Sequence, residues 1–264
     1  MTLTLEKVNS PDLCEGSEWV VADEDALAEH VARIAVGQYR HVAKILLGEG
    51  ATATTVTQYA KADAIALLTR KMGEEPWHRD GWLFQAISWI AAHNASGVAI
   101  RAPHLIKAHK GFDGIKLELN DAGEVTAVTI FEDKATEHPR NTIRDDVWPG
   151  IVKLEQGERT NELCQEVSSL LEAQLKTFPT LDVDAAVQQI VWKERRRYRV
   201  AITVDKPHLT PERRKRLFKD YDTYAPGDIA RRGAETMCLP DLRPWMQTFA
   251  DKVNAKIKAL PDNV

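Results

Sequence analysis

Residues 111–134 read Gly-Phe-Asp-Gly-Ile-Lys-Leu-Glu-Leu-Asn-Asp-Ala-Gly-Glu-Val-Thr-Ala-Val-Thr-Ile-Phe-Glu-Asp-Lys, and the prediction of the fold starts from these residues. Two apolar runs with strand-forming residues flank the polar turn Asn-Asp-Ala-Gly at positions 120–123. This pattern predicts a β-hairpin with a loop longer than two residues. Asp113, Glu132 and Lys134 then lie where two adjacent strands can bring them together.

The expected pairing of the two strands places these side chains near one another. Side chains alternate along a strand, so Glu132 and Lys134 share one face and Asp133 points to the other. With the turn centred between positions 121 and 122, Asp113 is expected opposite Ile130 and diagonal to Glu132, at about 7–8 Å between backbone positions. Two carboxylates at that separation can turn their oxygens onto one Mg²⁺, which binds few carboxylates and keeps several waters.

The spacing of an Asp followed by Glu-x-Lys resembles the half-motif of the PD-(D/E)xK nuclease superfamily, which has the restriction-endonuclease-like fold. The matching residues here are Asp113, Glu132 and Lys134, and the resemblance covers roughly residues 78–205. It implies that the two acids bind Mg²⁺ or Mn²⁺, together with the main-chain carbonyl of Asp133, and that the lysine assists the attacking water. The implied activity is hydrolysis of phosphodiester bonds in DNA.

Two further positions, Phe112 and Gln85, can be compared with the pattern of this family. The proline that often precedes the Asp in this family is replaced by Phe112. A Glu or Gln on the helix before the hairpin is matched by Gln85, which we expect to support the site. The chain also looks like the nuclease subunits of bacterial anti-phage defence systems, the Hachiman type in particular, which implies a helicase subunit as a partner.

Other interpretations of the same residues stay open at this point. The acids and lysine can form a solvated charge cluster at the end of a polar strand. The chain can be a catalytically silent subunit that binds nucleic acid or a partner, or a nuclease of the same fold that cuts RNA or junctions. No Gly-x-Gly-x-x-Gly, phosphate-binding loop, His-Glu-x-x-His or Gly-x-Ser-x-Gly motif is present in the sequence, which disfavours dehydrogenases, motors, zinc proteases and serine hydrolases.

Positive charge is concentrated in one segment of an acidic chain. The net charge is −4, yet positions 191–219 contain eleven Lys or Arg and three acids. Such a segment is typical of contact with a phosphate backbone, although a solvated helix face or a surface for an acidic protein partner has the same composition. The residues predicted to bind nucleic acid are Lys193, Arg195, Arg196, Arg197, Arg199, Arg213 and Arg214. Arg140 and Arg144, just after the acids, are expected either to touch the phosphate or to be exposed loop residues.

Composition favours a soluble protein of the cytoplasm. The sequence has no apolar run long enough to cross a bilayer and no signal peptide at its start. The three cysteines, Cys14, Cys164 and Cys238, are far apart and form no Cys-x-x-Cys pair, which favours reduced thiols over a zinc ribbon.

The apolar periodicity predicts an α/β (α+β) protein, with a small mixed sheet flanked by many helices. The order helix–strand–strand–strand–helix–strand expected of the restriction-endonuclease-like core falls within residues 78–205. Residues 1–77 are predicted to form a mainly helical segment, and residues 206–264 a helical segment packed on the core. The predicted helices include residues 23–47, 55–72, 76–92, 142–176 with an interruption near positions 149–150, 183–192 and 244–260, and a strand is predicted at 198–204.

Overall fold

A mixed β-sheet forms the centre of the protein, in a computed structural model that describes residues 2–8, 10–52, 54–93, 98–107, 110–121, 123–190 and 195–262. The strands are β1 (Leu3–Lys7), β2 (Ser17–Val21), β3 (Val98–Ile100), β4 (Gly114–Leu119), β5 (Val125–Lys134), β6 (Arg196–Val204) and β7 (Arg232–Cys238). Within the described residues they form one sheet in the order β1-β2-β7-β6-β5-β4-β3. The predicted α/β class with a mixed sheet is confirmed.

Helices flank the sheet on both sides. They are α1 (Glu24–Ala35), α2 (Tyr39–Leu46), α3 (Gln58–Leu68), α4 (Trp77–His93), α5 (Pro139–Thr142), α6 (Trp148–Glu155), α7 (Thr160–Glu172), α8 (Val183–Ile190), α9 (Pro211–Leu217), α10 (Tyr221–Tyr224) and α11 (Leu242–Ala259). Among the described residues, no helix is long and apolar enough to cross a membrane.

The chain order matches the expected core and adds strands to it. Helix α4, strands β3, β4 and β5, helices α5 to α8 and strand β6 follow one another in the predicted order. Strands β5, β6 and β7 are mutually parallel, whereas β4 pairs antiparallel with both β5 and β3. Strands β1 and β2 come from residues 1–77 and β7 from residues 206–264, so all three predicted segments share one sheet.

The two faces of the sheet bury separate apolar clusters. On the first, called here the α4 face, Trp19, Ala201 and Met237 pack against α1, α3, α4 and α11. On the second, called the α6 face, Ile130 and Ile202 pack against α6, α7, α9 and α10. Consecutive residues along β5, and likewise along β6, therefore point to opposite faces of the sheet.

The β4–β5 hairpin differs in register from the prediction. Leu119 pairs with Val125 beside the turn, which is therefore centred at position 122. A β-bulge between Glu118 and Leu119 shifts the pairing by one further residue, so that Gly114 faces Phe131 at the other end. A bulge inserts one residue into one strand only, and its presence is not visible in the apolar pattern.

The corrected register changes the position of the first acid. Asp113 directly precedes β4, and continuing the pairing sets it opposite Glu132, not opposite Ile130 as predicted. Residues directly opposite each other in an antiparallel pair point to the same face, at a shorter separation than diagonal ones. In the observed register, the carboxylates of Asp113 and Glu132 are therefore closer together than predicted.

Two predicted helices are interrupted in unexpected places. The helix predicted over residues 23–47 is divided by Gly37, whose φ of +83° suits glycine and ends α1. The interruption predicted near 149–150 is wrong, because α5, a π-helical turn at Ile143–Val147 and α6 follow without a break. Pro149 therefore lies within a continuous helical run, two residues after the end of the π-helical turn, and the chain leaves this run at Gly157.

Candidate metal-dependent hydrolytic site

Two carboxylates and a lysine converge where the β4–β5 hairpin ends. Nζ of Lys134 lies 3.1 Å from Oε2 of Glu132 and 3.7 Å from Oδ2 of Asp113. The three side chains are mostly buried, with exposed fractions of 29% for Lys134, 15% for Glu132 and 14% for Asp113. One ammonium group contacts both carboxylates, so their oxygens lie within reach of a single cation.

Asp113 is held in place from two sides. Nε2 of Gln85, on α4, donates a hydrogen bond to its Oδ1 at 2.5 Å, and the main-chain N–H of Asp133 donates to its Oδ2 at 2.8 Å. The structure thus brings Gln85 to the site as the sequence predicted. Because both carboxylate oxygens accept from fixed donors, this acid is oriented before any ligand arrives.

The two acids and Lys134 shift one another's pKa values. Burial raises the pKa of the Glu132 carboxyl, Lys134 lowers it and Asp113 raises it again, with a net increase. Burial lowers the pKa of the Lys134 ammonium, but the carboxylates of Glu132 and Asp113 raise it further, with a net increase. Lys134 is therefore protonated at neutral pH, so it can donate hydrogen bonds but cannot accept a proton.

The carboxylate of Asp133 points away from this site, as strand alternation predicts. Its Oδ1 lies 3.3 Å from Nη2 of Arg199 on the α4 face, and its side chain is almost fully buried. Burial raises the pKa of this carboxyl to about 7, although Arg199 lowers it. Only the main chain of Asp133 faces the two acids, so a contribution of this residue to a metal site is restricted to its carbonyl.

Arg159 is a neighbour of the site that sequence reasoning missed. It precedes α7 with a φ of +60°, a conformation uncommon for residues other than glycine. Its guanidinium lies 4.0 Å from the ring centroid of Phe112 and forms a two-pronged pair with Glu162, with both N···O distances 2.8 Å. It is close enough to lower the pKa of Glu132. No local pattern links a residue at this distance along the chain to the hairpin.

The donor set fits a small, hard divalent cation. Mg²⁺ and Mn²⁺ prefer oxygen ligands, and Mg²⁺ is commonly held by one or two carboxylates with water in the other positions. Asp113 and Glu132 supply such carboxylates and already share one cation, the Lys134 ammonium. Among the residues that the structure describes, no group of three or more His, Cys, Asp or Glu side chains is arranged to hold a metal. The carboxylate side chains available to a metal at this site are thus limited to two among the described residues.

Part of the basic segment lies inside the protein, which corrects the prediction for two residues. Arg196 is 4% exposed and its Nη1 donates to the carbonyl of Leu154 at 3.1 Å. Arg214 is 2% exposed and donates to the hydroxyl of Thr236 and the carbonyl of Ala234. Guanidinium groups that are buried and bonded to carbonyls cannot contact the phosphates of a nucleic acid.

The remaining basic residues are spread over different surroundings. Arg195 donates to the carbonyl of Val125, Arg197 and Arg199 point to the α4 face, and Arg213 is exposed. Lys193 lies outside the described residues. Arg140 donates to the carbonyls of Leu217 and Lys219, and Arg144 is exposed and paired with Asp145. The segment therefore does not form one continuous basic surface in the part of the chain that is described.

Replacement of Arg214 by alanine is expected to lower the free energy of unfolding by about 2–3 kcal/mol, because buried acceptors lose their donor. The adjacent Arg213→Ala removes the same charge from an exposed position and is expected to change stability little. Urea denaturation followed by circular dichroism measures both. Equal effects of the two substitutions would contradict the internal role of Arg214.

The sequence was also compared with known proteins. No family model matches the chain. No curated protein matches it either. The geometry of the site is therefore the basis on which a function can be inferred.

Proposed function

We propose that this protein is a metal-dependent nuclease that hydrolyses phosphodiester bonds of DNA. The observation that carries the proposal is the shared contact of Lys134 with Asp113 and Glu132 at the end of the hairpin. Gln85 supports the same group from α4, as the resemblance to the PD-(D/E)xK superfamily leads one to expect. A solvated charge cluster would not need a fixed donor on each oxygen of a mostly buried carboxylate.

Each residue has a distinct part in the proposed reaction. Asp113 and Glu132 would hold Mg²⁺ or Mn²⁺, with the carbonyl of Asp133 as a further ligand. The bound ion supplies Lewis-acid polarisation of the phosphate and a lower pKa of a coordinated water. Lys134, being protonated, donates to the attacking water or to a phosphate oxygen, where it offsets the charge that develops on the phosphate.

Arg159 is proposed to contact the substrate phosphate. Its charge is near Glu132, its side chain is partly exposed, and Glu162 and the ring of Phe112 fix its direction. A role as the effector of an anti-phage defence system, with a helicase as partner, is proposed from the resemblance alone.

Cleavage of supercoiled plasmid DNA with Mg²⁺ or Mn²⁺ tests the proposal. The Glu132→Gln variant keeps the shape of the side chain and an acceptor for Lys134 but loses the charge that binds the metal. We expect it to cleave at least about 10²-fold more slowly than the wild type, since an electrostatic group at the reaction centre is lost. The exposed Glu172, at the end of α7, provides the matched control Glu172→Gln, which is expected to cleave normally.

The outcomes separate the alternatives. Metal-dependent nicking that is lost only in Glu132→Gln supports a nuclease with this site. Nicking that persists in Glu132→Gln places the activity elsewhere. A folded wild type that binds DNA without cutting DNA or RNA favours a silent binding subunit, and selective cutting of RNA changes the substrate.

A further inference from the structure

A cavity of about 470 Å³ lies on the α4 face of the sheet, away from Asp113 and Glu132. Thr129 of β5 and Arg197 of β6 line it, and these two residues are neighbours in the parallel register. Leu5 of β1 and the last turns of α4, at Ala91 and Ala92, contribute apolar surface. Cavities of about 300–1,000 Å³ with a mostly apolar lining and a few polar groups are typical of sites for small molecules.

Four cations, Lys7, Lys116, Arg197 and Arg199, and two acids, Glu15 and Glu235, line the cavity. Nζ of Lys116 lies 3.0 Å from Glu118 and Nη1 of Arg197 lies 2.7 Å from the same carboxylate, so two cations share one anion. Lys7, exposed at the edge of the cavity, forms no ion pair with any described residue. A ligand with several negative charges would therefore find cations that are only partly neutralised.

The two acids of the lining differ in their surroundings. Oε2 of Glu235 accepts hydrogen bonds from the main-chain N–H and the hydroxyl of Ser17 and from Nε1 of Trp19. These donors hold the carboxylate in place, so the phosphates of a ligand are expected beside Lys116 and Arg197 and not beside Glu235. Glu15 is exposed at the edge, where water screens its charge.

Arg199 gives the cavity a rigid cationic wall. Its guanidinium lies 3.5 Å from the ring centroid of Phe131 and 5.6 Å from that of Trp19. Asp133 and Ser88 accept hydrogen bonds from its Nη2, whereas its buried Nε has no hydrogen-bond partner in the structure. Arg199 thus contributes a fixed positive charge to the wall of the cavity, and Asp133 offsets part of this charge.

The cavity is separate from the proposed catalytic site. Thr129 and Phe131 line the cavity, whereas Glu132 and Lys134 belong to the opposite face of the same strand. A molecule in the cavity thus contacts the catalytic strand from behind and does not reach its carboxylates.

We propose that this cavity binds a phosphate-bearing small molecule of mononucleotide size. Its phosphates lie against Lys116, Arg197 and the wall formed by Arg199, and its less polar part lies against Leu5 and the end of α4. Binding requires neither the divalent cation nor cleavage, so it is independent of the proposed nuclease function.

Isothermal titration calorimetry with ADP and with pyrophosphate, in the absence of divalent cations, tests the proposal. Arg197→Ala is expected to weaken ADP binding about tenfold or more, because a hydrogen bond to a charged group contributes about a factor of ten to affinity. The double variant Arg197→Ala with Lys116→Ala is expected to weaken ADP binding further. Thr129→Phe fills the cavity without removing a charge, and an aromatic residue suits a strand, so it is expected to abolish binding. Circular dichroism confirms that each variant is folded.

Two control variants locate the binding. Arg213→Ala removes an exposed charge outside the cavity, and Asp113→Ala alters the catalytic site, so both are expected to bind ADP like the wild type. Loss of binding in Asp113→Ala, normal binding in Thr129→Phe, or absence of binding to both ADP and pyrophosphate would each overturn the proposal. Binding of a short oligothymidylate with no binding of either small ligand would overturn it as well, because the surface would then serve a polymer.

Discussion

The Lys134→Met variant is expected to bind Mn²⁺ about tenfold more tightly than the wild type and yet to lose at least about 10²-fold in DNA cleavage. The ammonium of Lys134 lies between Glu132 and Asp113 and contacts both. Because its pKa is raised by these carboxylates, it carries its charge at neutral pH and repels a metal ion beside it. Methionine has a similar length but no charge, so the repulsion and the hydrogen-bond donor disappear together.

Calorimetric titration with Mn²⁺ and a plasmid cleavage assay, performed on the same preparations, check this expectation. Lys153→Met, which removes an exposed lysine from α6, is the matched control and is expected to leave both properties unchanged. If Lys134→Met binds Mn²⁺ more weakly than the wild type, the two acids do not form the metal site. If it cleaves DNA at the normal rate, Lys134 has no part in the reaction.

The Asp80→Ala substitution is expected to lower the free energy of unfolding by about 3–5 kcal/mol, the usual effect of breaking a buried ion pair from one side. Asp80 is fully buried in the first turn of α4. Its Oδ1 accepts from Nε and Nη2 of Arg79 at 2.9 and 2.7 Å, and its Oδ2 accepts from Arg243 of α11 at 2.6 Å. Without the carboxylate, the guanidinium of Arg79, which is 2% exposed, stays buried without its counter-charge.

Urea denaturation measures the loss, and Asp25→Ala is the comparison. Asp25 also forms an ion pair, with Lys256 at 2.5 Å, but its side chain is 68% exposed. Exposed pairs contribute little to stability because water screens them, so this control is expected to unfold almost like the wild type. Similar losses in the two variants would contradict the view that Asp80 connects α4 to α11 in the interior.

The sequence predicted the residues of the candidate site better than their geometry. The alternation of β5 was enough to place Glu132 and Lys134 together and to direct the side chain of Asp133 to the other face. The position of Asp113 was wrong by two residues in register, since the turn is centred later than expected and a bulge follows Glu118. Apolar alternation does not encode a bulge, because the inserted residue leaves the pattern on either side intact.

Charge composition predicted the basic segment but not the direction of its side chains. Arg196 and Arg197 are adjacent, yet the first is buried and bonded to a carbonyl, whereas the second borders a cavity. Arg214 lies inside the protein because β2 and β7 surround it with acceptors. Contacts between distant parts of the chain determine which arginines are internal. A count of charges in a stretch of sequence contains no information about these contacts.

One strand near the end of the sequence was also beyond local reasoning. Strand β7 reads Arg-Gly-Ala-Glu-Thr-Met-Cys and has few of the β-branched or aromatic residues that indicate a strand. It forms because β6 and β2 pair with it on either side. Its conformation is imposed by its neighbours and not by its own composition.

The pairing of β2 with β7 has a consequence for biosynthesis. Ser17 and Glu235, which are hydrogen-bonded across these strands, are 218 positions apart in the sequence. The ribosome therefore has to synthesise β7 before β2 can meet its inner partner, whereas the β4–β5 hairpin can close much earlier. Such non-local pairing is slow compared with local contacts. Until β7 has been made, the hairpin that bears the acids lacks the completed sheet around it.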